Sequence, residues 1–333
     1  MLYKLRDWIE PNRLDWYNVC TLNNIDFLLD KYVDKLCWTS LCKYTTNIAF
    51  LEKHYDKIVW DSLSLNIHAM PILEKNLDKV NWQILSLNEN AIYILEKNLD
   101  KVDWMNLTNN KNALTILEKN IDNIWWNGIS LNTTYIKFIE KYLNQIDWCI
   151  LSLNKNAIPI LEKNLDKVNW NWLSSNVNAI HILEKNTDKI AWNWILLNPN
   201  AIQIIEKNMD KITNWSILSS NINAVPFLEK NMDKISWAYL SLNPNAIHLL
   251  EKNLDKVDWS ALSENKNAIH ILEQNIDKID WYKLSVNQSI IEVDYKTMSE
   301  QRMSLLREEL MIKTLHPSRI QKWLDLGMNI DDL

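Results

Sequence analysis

Three histidines, His181, His248 and His270, fall at one repeating position of the chain, among recurring Glu-Lys and Asp-Lys pairs and a recurring serine. These residue types ligate metals, move protons or attack as nucleophiles. A structural zinc takes about four ligands at ~2.0–2.3 Å from one ion. His248 and His270 are 22 residues apart; on neighbouring packed helices that separates them by about 10 Å, too far to share an ion directly. Acid–base catalysis needs one unequal pair of carboxylates in a pocket, whereas Glu74-Lys75 through Glu251-Lys252 are many equal copies. They read as a solvated face of balanced charge. The recurring serine reads as structural, because a hydroxyl there can bond back to the helix backbone. His54, His68 and His316 stand off this position, and no Ser/His/Asp or Cys/His constellation, Walker loop or HExxH motif occurs. The expectation is a non-enzymatic chain with no catalytic, cofactor-binding or metal-binding residue.

What positions these residues is a repeat. Trp16, Trp38, Trp60, Trp82, Trp104, Trp126, Trp148, Trp170 and Trp192 are 22 residues apart; one residue inserted near Thr213-Asn214 delays Trp215, and Trp237, Trp259 and Trp281 resume the beat. With Trp as position 1, the unit reads W-x-x-L-S-x-N-x-N-A-I-x-I-L-E-K-N-x-D-K-I-D/N, twelve times in full and a thirteenth time fading after "WYKLSVNQSII". The residue before Trp (Asp15, Asn81, Asp103, Asp147, Asn169, Asp258 or Asp280) suits the N-cap of a first helix. A second helix covers positions 9 to 17. Pro199 and Pro244 follow the first asparagine, but Pro71, Pro159 and Pro226 at position 12 favour the second, at position 9, as its cap. The asparagine at position 17 suits a left-handed helix end. Apolar residues at positions 10, 11, 13 and 14 cover more than half of this helix, so it needs neighbours on both sides. The expected fold is all-α: a right-handed α-solenoid of about twelve two-helix repeats, spanning roughly 100–120 Å at ordinary helix spacing. The tryptophans form its structural ladder, each expected to cost about 3–5 kcal/mol on truncation if buried.

Composition narrows the class further. Two glycines in 333 residues argue against phosphate loops and most enzyme folds, and a net charge of −6 is a poor footprint for nucleic acid. Cys20, Cys37, Cys42 and Cys149 form no CxxC pair and read as reduced thiols. The start, "MLYKLRDWIE", has no apolar signal region, and no stretch is apolar enough to span a bilayer. Residues 1–15 are expected to form an N-terminal cap helix, 16–294 the solenoid, and 295–333 a helical cap or docking segment that covers the last repeat's open face. In that tail Met303, Leu306, Leu310 and Met311 make an amphipathic helix, Pro317 opens a second, and Gly327 ends it.

The unit "DWSALSENKNAIHILEQNIDKIDW" resembles short α-helical repeats abundant in proteins of giant DNA viruses, as does the tail "REELMIKTLHPSRIQKWLDLGMNIDDL". The resemblance implies an α-solenoid, viral origin and no catalytic role, hence a location in host cytoplasm, viral factory or virion; it supplies no partner. An invariant core beside variable positions 2, 3, 6, 8 and 12 points to a protein–protein interaction scaffold that binds a host or viral protein, not nucleic acid or membrane. Gln83, Met105, Tyr135, His181, Gln203, Tyr239, His248 and His270 are the candidate partner contacts; Leu306, Leu310, His316, Arg319 and Trp323 are the candidate docking residues of the tail. Two alternatives stand beside it: a virion or assembly component that packs with copies of itself, and an F-box-like adaptor whose tail hooks a host ubiquitin ligase. Leu22 and Tyr44, replacing the position 7 asparagine, mark the first two repeats as divergent.

Overall fold

The structure, a computed structural model, describes residues 1–327; positions 328–333, included in the expected tail segment, lie outside the described residues. The chain forms two compact units: residues 10–289, and the two chain ends, 1–9 with 290 onward. The first is an all-α repeat array. Each rung pairs a Trp helix with a second helix, as in Trp60–Ser64 followed by Met70–Leu73. Helices this short are unstable alone, so each terminus and each face must be satisfied by neighbours.

The Trp helix is capped as its sequence predicts. Asp103 accepts the Asn106 N–H at 2.8 Å, and Asp147 accepts that of Ile150 at 3.0 Å. The position 5 serine closes the other end. Ser86 Oγ donates to the Trp82 carbonyl at 2.8 Å and accepts the Asp103 N–H at 3.0 Å. It therefore ties its own helix to the start of the next rung.

The deepest side chains are not the tryptophans. Leu at position 4, Ser at 5, Ala at 10 and Leu at 14 are fully buried, as Leu85, Ser86, Ala91 and Leu95 show, whereas of the ladder only Trp281 is buried. Each half-buried indole instead holds its own rung together. The Trp215 ring stacks on Phe227 of the second helix at 5.8 Å, and Lys234 of position 20 sits 4.9 Å above it. The same lysine lies over Trp60, Trp82, Trp148, Trp170, Trp237 and Trp259. The Asp-Lys row is thus only partly a solvated face: its lysine is a lid on the indole.

Asparagines join rung to rung. Asn88 Nδ2 donates to the Ser64 and Asn66 carbonyls of the preceding rung at 3.0 and 3.1 Å, while its Oδ1 accepts the Asn90 N–H at 3.0 Å. The set recurs to Asn287. Position 7, not position 9, is therefore the side chain that caps the turn into the second helix; the position 9 amide reaches back instead, as Asn90 does to the Ile67 carbonyl at 2.8 Å. Position 17 also departs from expectation. Asn98 has φ −135°, not a left-handed value, and its Nδ2 bonds the Ile94 carbonyl at 2.8 Å.

The array closes on itself. The Asp15 N–H donates to Ser285 Oγ at 2.8 Å, the bond that most rungs make to the position 5 hydroxyl of their predecessor, here across 270 residues. Arg13 lies 4.2 Å over the Trp281 ring, in the place of the position 20 lysine. Leu14 is buried like the Ile or Val of position 21. "RLDW" at 13–16 thus supplies the missing end of the thirteenth rung, whose own chain leaves the pattern after Ile290. Leu22 offers no amide at this joint; Gln288 substitutes, its Oε1 accepting the Asn23 N–H at 2.9 Å and its Nε2 donating to the Asn23 carbonyl at 3.1 Å. The last repeat has a neighbour, and its face needs no cap.

Residues 1–15 form a strand and turns where a cap helix was expected, 1–9 in the second unit and 10–15 in the array. Strand β1 (Tyr3–Leu5) pairs antiparallel with β2 (Ile291–Val293), Lys4 opposite Glu292. Lys4 and Arg6 reach that glutamate at 3.4 and 3.1 Å. Alternating polar and apolar residues over so few positions favour a clasp over a helix. Helices Tyr295–Thr314 and Pro317–Asp325 follow.

Candidate interaction surface

Most consecutive Trp helices pack directly on one another, and no two consecutive second helices do so to the same degree. In a closed array the elements nearer the axis are the more closely spaced, so the Trp helices form the inner wall. Positions 4 and 5 face the core; positions 2, 3 and 6 face the enclosed side. Of the expected contacts, Gln83, Met105 and Tyr239 stand on this wall, Met105 55% and Tyr239 46% exposed. Neither Met105 nor Gln83 is free in its backbone: the Gln83 carbonyl accepts the Asn106 amide at 2.9 Å.

His181, Gln203, His248 and His270 lie on second helices, away from this wall. Each histidine is tied to the rung before it. Nε2 of His181, His248 and His270 meets Oε1 of Glu162, Glu229 and Glu251 at 2.6, 2.6 and 2.7 Å, and Tyr93 reaches Glu74 in the same way. The sequence placed position 12 at the surface but could not show that position 15 of the preceding rung faces it. Among the described residues no three His, Cys, Asp or Glu side chains converge as a metal site would require.

Tyr135 is a correction. It occupies position 10, where most rungs carry alanine, and is 2% exposed, so it cannot meet a partner. Its hydroxyl donates to the Asn110 carbonyl, the acceptor that Asn132 would take by the rule of the ladder, and Asn132 retains only a 3.5 Å contact to the Thr108 carbonyl. Burial pushes the Tyr135 phenol up to about 12. In the same rung, Gly128 leaves room for Trp125: an added Cβ would stand 2.7 Å from Trp125 Cε3.

Two features of the wall escaped the sequence reading. Trp172 and Trp194, both at position 3, meet at 4.6 Å with their planes 58° apart. Tyr17 and Tyr282, at position 2 of the first and last rungs, are 57% and 62% exposed and become neighbours through closure. Only the match of "RLDW" to "KIDW" could have signalled it. At the turns between the two helices, Leu242, Pro244 and Val286 line a shallow cleft with Lys266 and Gln288.

In the tail, Leu306 and Leu310 are exposed, as are Met303, Leu305 and Ile312. Arg319 is exposed, and Trp323 is half-buried. His316 has a local duty: its Nδ1 accepts the Ser318 N–H at 3.3 Å and caps Pro317–Asp325.

No protein-family model, curated protein or solved structure matches this chain.

Proposed function

We propose that this chain is a non-enzymatic protein-binding scaffold whose partner lies along the inner wall. One observation carries this reading: the wall exposes tyrosine and methionine beside two half-buried tryptophans, while the charged rows sit on the second helices and their turns. Exposed aromatic side chains on rigid helices are the usual anchors of protein interfaces. The likeness of the repeat and tail to those of giant DNA viruses supports a setting inside an infected host. The test is affinity capture from infected-cell lysate with the full chain, its Met105→Ser/Tyr239→Ser variant, and its Leu305→Glu/Ile312→Glu variant. A partner lost with the first substitutions and kept with the second is the expected result; retention by both variants would refute a role for the wall.

The exposed apolar residues of Tyr295–Thr314 favour one second reading, in which the tail docks the partner. Loss with Leu305→Glu/Ile312→Glu alone would select it, as for a ligase adaptor. Capture of only capsid proteins or further copies of this chain would select an assembly component.

A further inference from the structure

The bond that links one Trp helix to the next has a different chemistry in the first rung. Elsewhere the position 5 hydroxyl accepts the position 22 N–H: Ser64 from Asn81 at 3.0 Å, Ser152 from Asn169 at 2.9 Å and Ser263 from Asp280 at 3.0 Å. Cys42 keeps the bond as a thiol, accepting the Val59 N–H at 3.4 Å. In the first rung positions 5 and 22 are both cysteine, Cys20 and Cys37, and the Cys37 N–H faces the Cys20 sulfur. A sulfur against the neighbour's own N–H leaves the two α-carbons about 5–7 Å apart, and a disulfide spans about 4.4–6.8 Å. The Cys37 side chain makes no cap hydrogen bond to Trp38–Tyr44, unlike Asp103 or Asp147 at the same position. Its sulfur can therefore turn toward Cys20 without giving up a cap.

A second observation falls on the same joint. Where the second rung meets the third, Asn66 Nδ2 donates to the Cys42 and Thr45 carbonyls, both at 2.9 Å. Where the first meets the second, Tyr44 stands in place of that asparagine, so the joint that lacks the amide is the one that carries two thiols.

We propose that Cys20 and Cys37 form an oxidation site, at which an oxidant of the hydroperoxide class converts the pair to a disulfide that staples the first rung to the second. Cys37 is half-buried and Cys20 is 1% exposed, so the oxidant meets Cys37. Burial also pushes the Cys20 thiol up to about 11, which makes it a poor first nucleophile at neutral pH. The Cys37 sulfur attacks one peroxide oxygen, becomes a sulfenic acid and releases water. The Cys20 sulfur then attacks the Cys37 sulfur, the S–S bond forms, and the sulfenic hydroxyl leaves with the Cys20 proton as a second water. The two thiols lose two hydrogens and two electrons, and the peroxide is reduced to two waters.

The full wild-type chain is treated with hydrogen peroxide, alkylated in denaturant with N-ethylmaleimide, and mapped by peptide mass spectrometry. A Cys20–Cys37 bridge that dithiothreitol reverses is expected, with Cys42 and Cys149 alkylated. Amide exchange in the first two rungs is expected to slow about fivefold or more on oxidation. Cys20→Ser installs the residue that most rungs carry at position 5, so it is expected to fold, as its circular dichroism melt checks. In that variant oxidation is expected to stop at a Cys37 sulfenic acid, which dimedone traps. Three results would each overturn the inference: no bridge in the folded chain, a bridge that uses Cys42, Cys149 or a second chain, or a Cys20–Cys37 bridge that leaves exchange in these rungs unchanged or faster.

Discussion

A buried asparagine is the residue on which continuity depends. Asn154 is 1% exposed and donates to the Ser130 and Asn132 carbonyls at 3.0 and 3.2 Å. Asn154→Leu leaves both acceptors dry and unpaired, so a loss of about 2–4 kcal/mol is expected in urea unfolding. Asn154→Asp is expected to cost more at neutral pH, because it adds a buried charge and loses the donors. A loss below half a kilocalorie in either variant would remove the ladder from the account. Caps add a pH dependence. The Ser260 hydroxyl and the backbone N–H groups of the helix it starts hold the Asp280 carboxyl below its usual range. A depressed folded value gives stability that is present above the unfolded pKa and lost as pH falls through the folded one. Asp280→Asn keeps a capping oxygen, and its melting temperature is expected to fall less than that of the wild type on acidification below about pH 4.

At the scale of the element, the indole works within a rung and the amides work between rungs. Trp148 is half-buried with Lys167 4.9 Å above its ring, while Leu151 is fully buried. Trp148→Ala is therefore expected to cost about 2–3 kcal/mol, no more than Leu151→Ala, and Lys167→Ala about 0.5–1 kcal/mol. Thermal melts of the three variants order these costs; a Trp148 variant far below the Leu151 variant would restore the indole as the main core residue. The period, the two-helix unit and the first cap were readable in the sequence, because apolar spacing and Asp or Asn before Trp act locally. The second cap was not. Positions 7 and 9 are both asparagine, and which one faces the buried carbonyls is decided by the preceding rung. The surface rows failed for the same reason: Glu162 meets His181 across rungs, and Tyr135 looks like any polar-tipped surface residue until the alanine site it fills is known.

Across the whole repeat unit, closure changes what the ends do. An open array spends its terminal repeats on capping; here Arg13, Leu14 and Asp15 complete the rung begun by Trp281. The joint makes fewer amide ladder bonds than the one before it, because Leu22 replaces the asparagine that would donate across it, and Tyr44 removes that asparagine from the next joint as well. Amide exchange is therefore expected to be fastest, within the array, in the thirteenth, first and second rungs, and Gln288→Ala is expected to speed it in the first and thirteenth alone. Equal protection in all rungs would show that the joint is as strong as any other. Sequence periodicity could establish neither closure nor its chemistry, since a 22-residue beat is the same in an open and a closed stack. Curvature follows from how far each rung tilts on the next, and that is set by the two helices' unequal spacing.

The most direct test of closure is a distance between its two sides. With Cys20 and Cys42 replaced by the consensus serine, Cys37 by Asp and Cys149 by Asn, spin labels at Tyr17→Cys and Tyr282→Cys report it by pulsed electron resonance. A single short distance, under about 25 Å including the label arms, is expected for adjacent helices. A distribution beyond about 50 Å, as an open stack of this many rungs would give, would contradict the closed array.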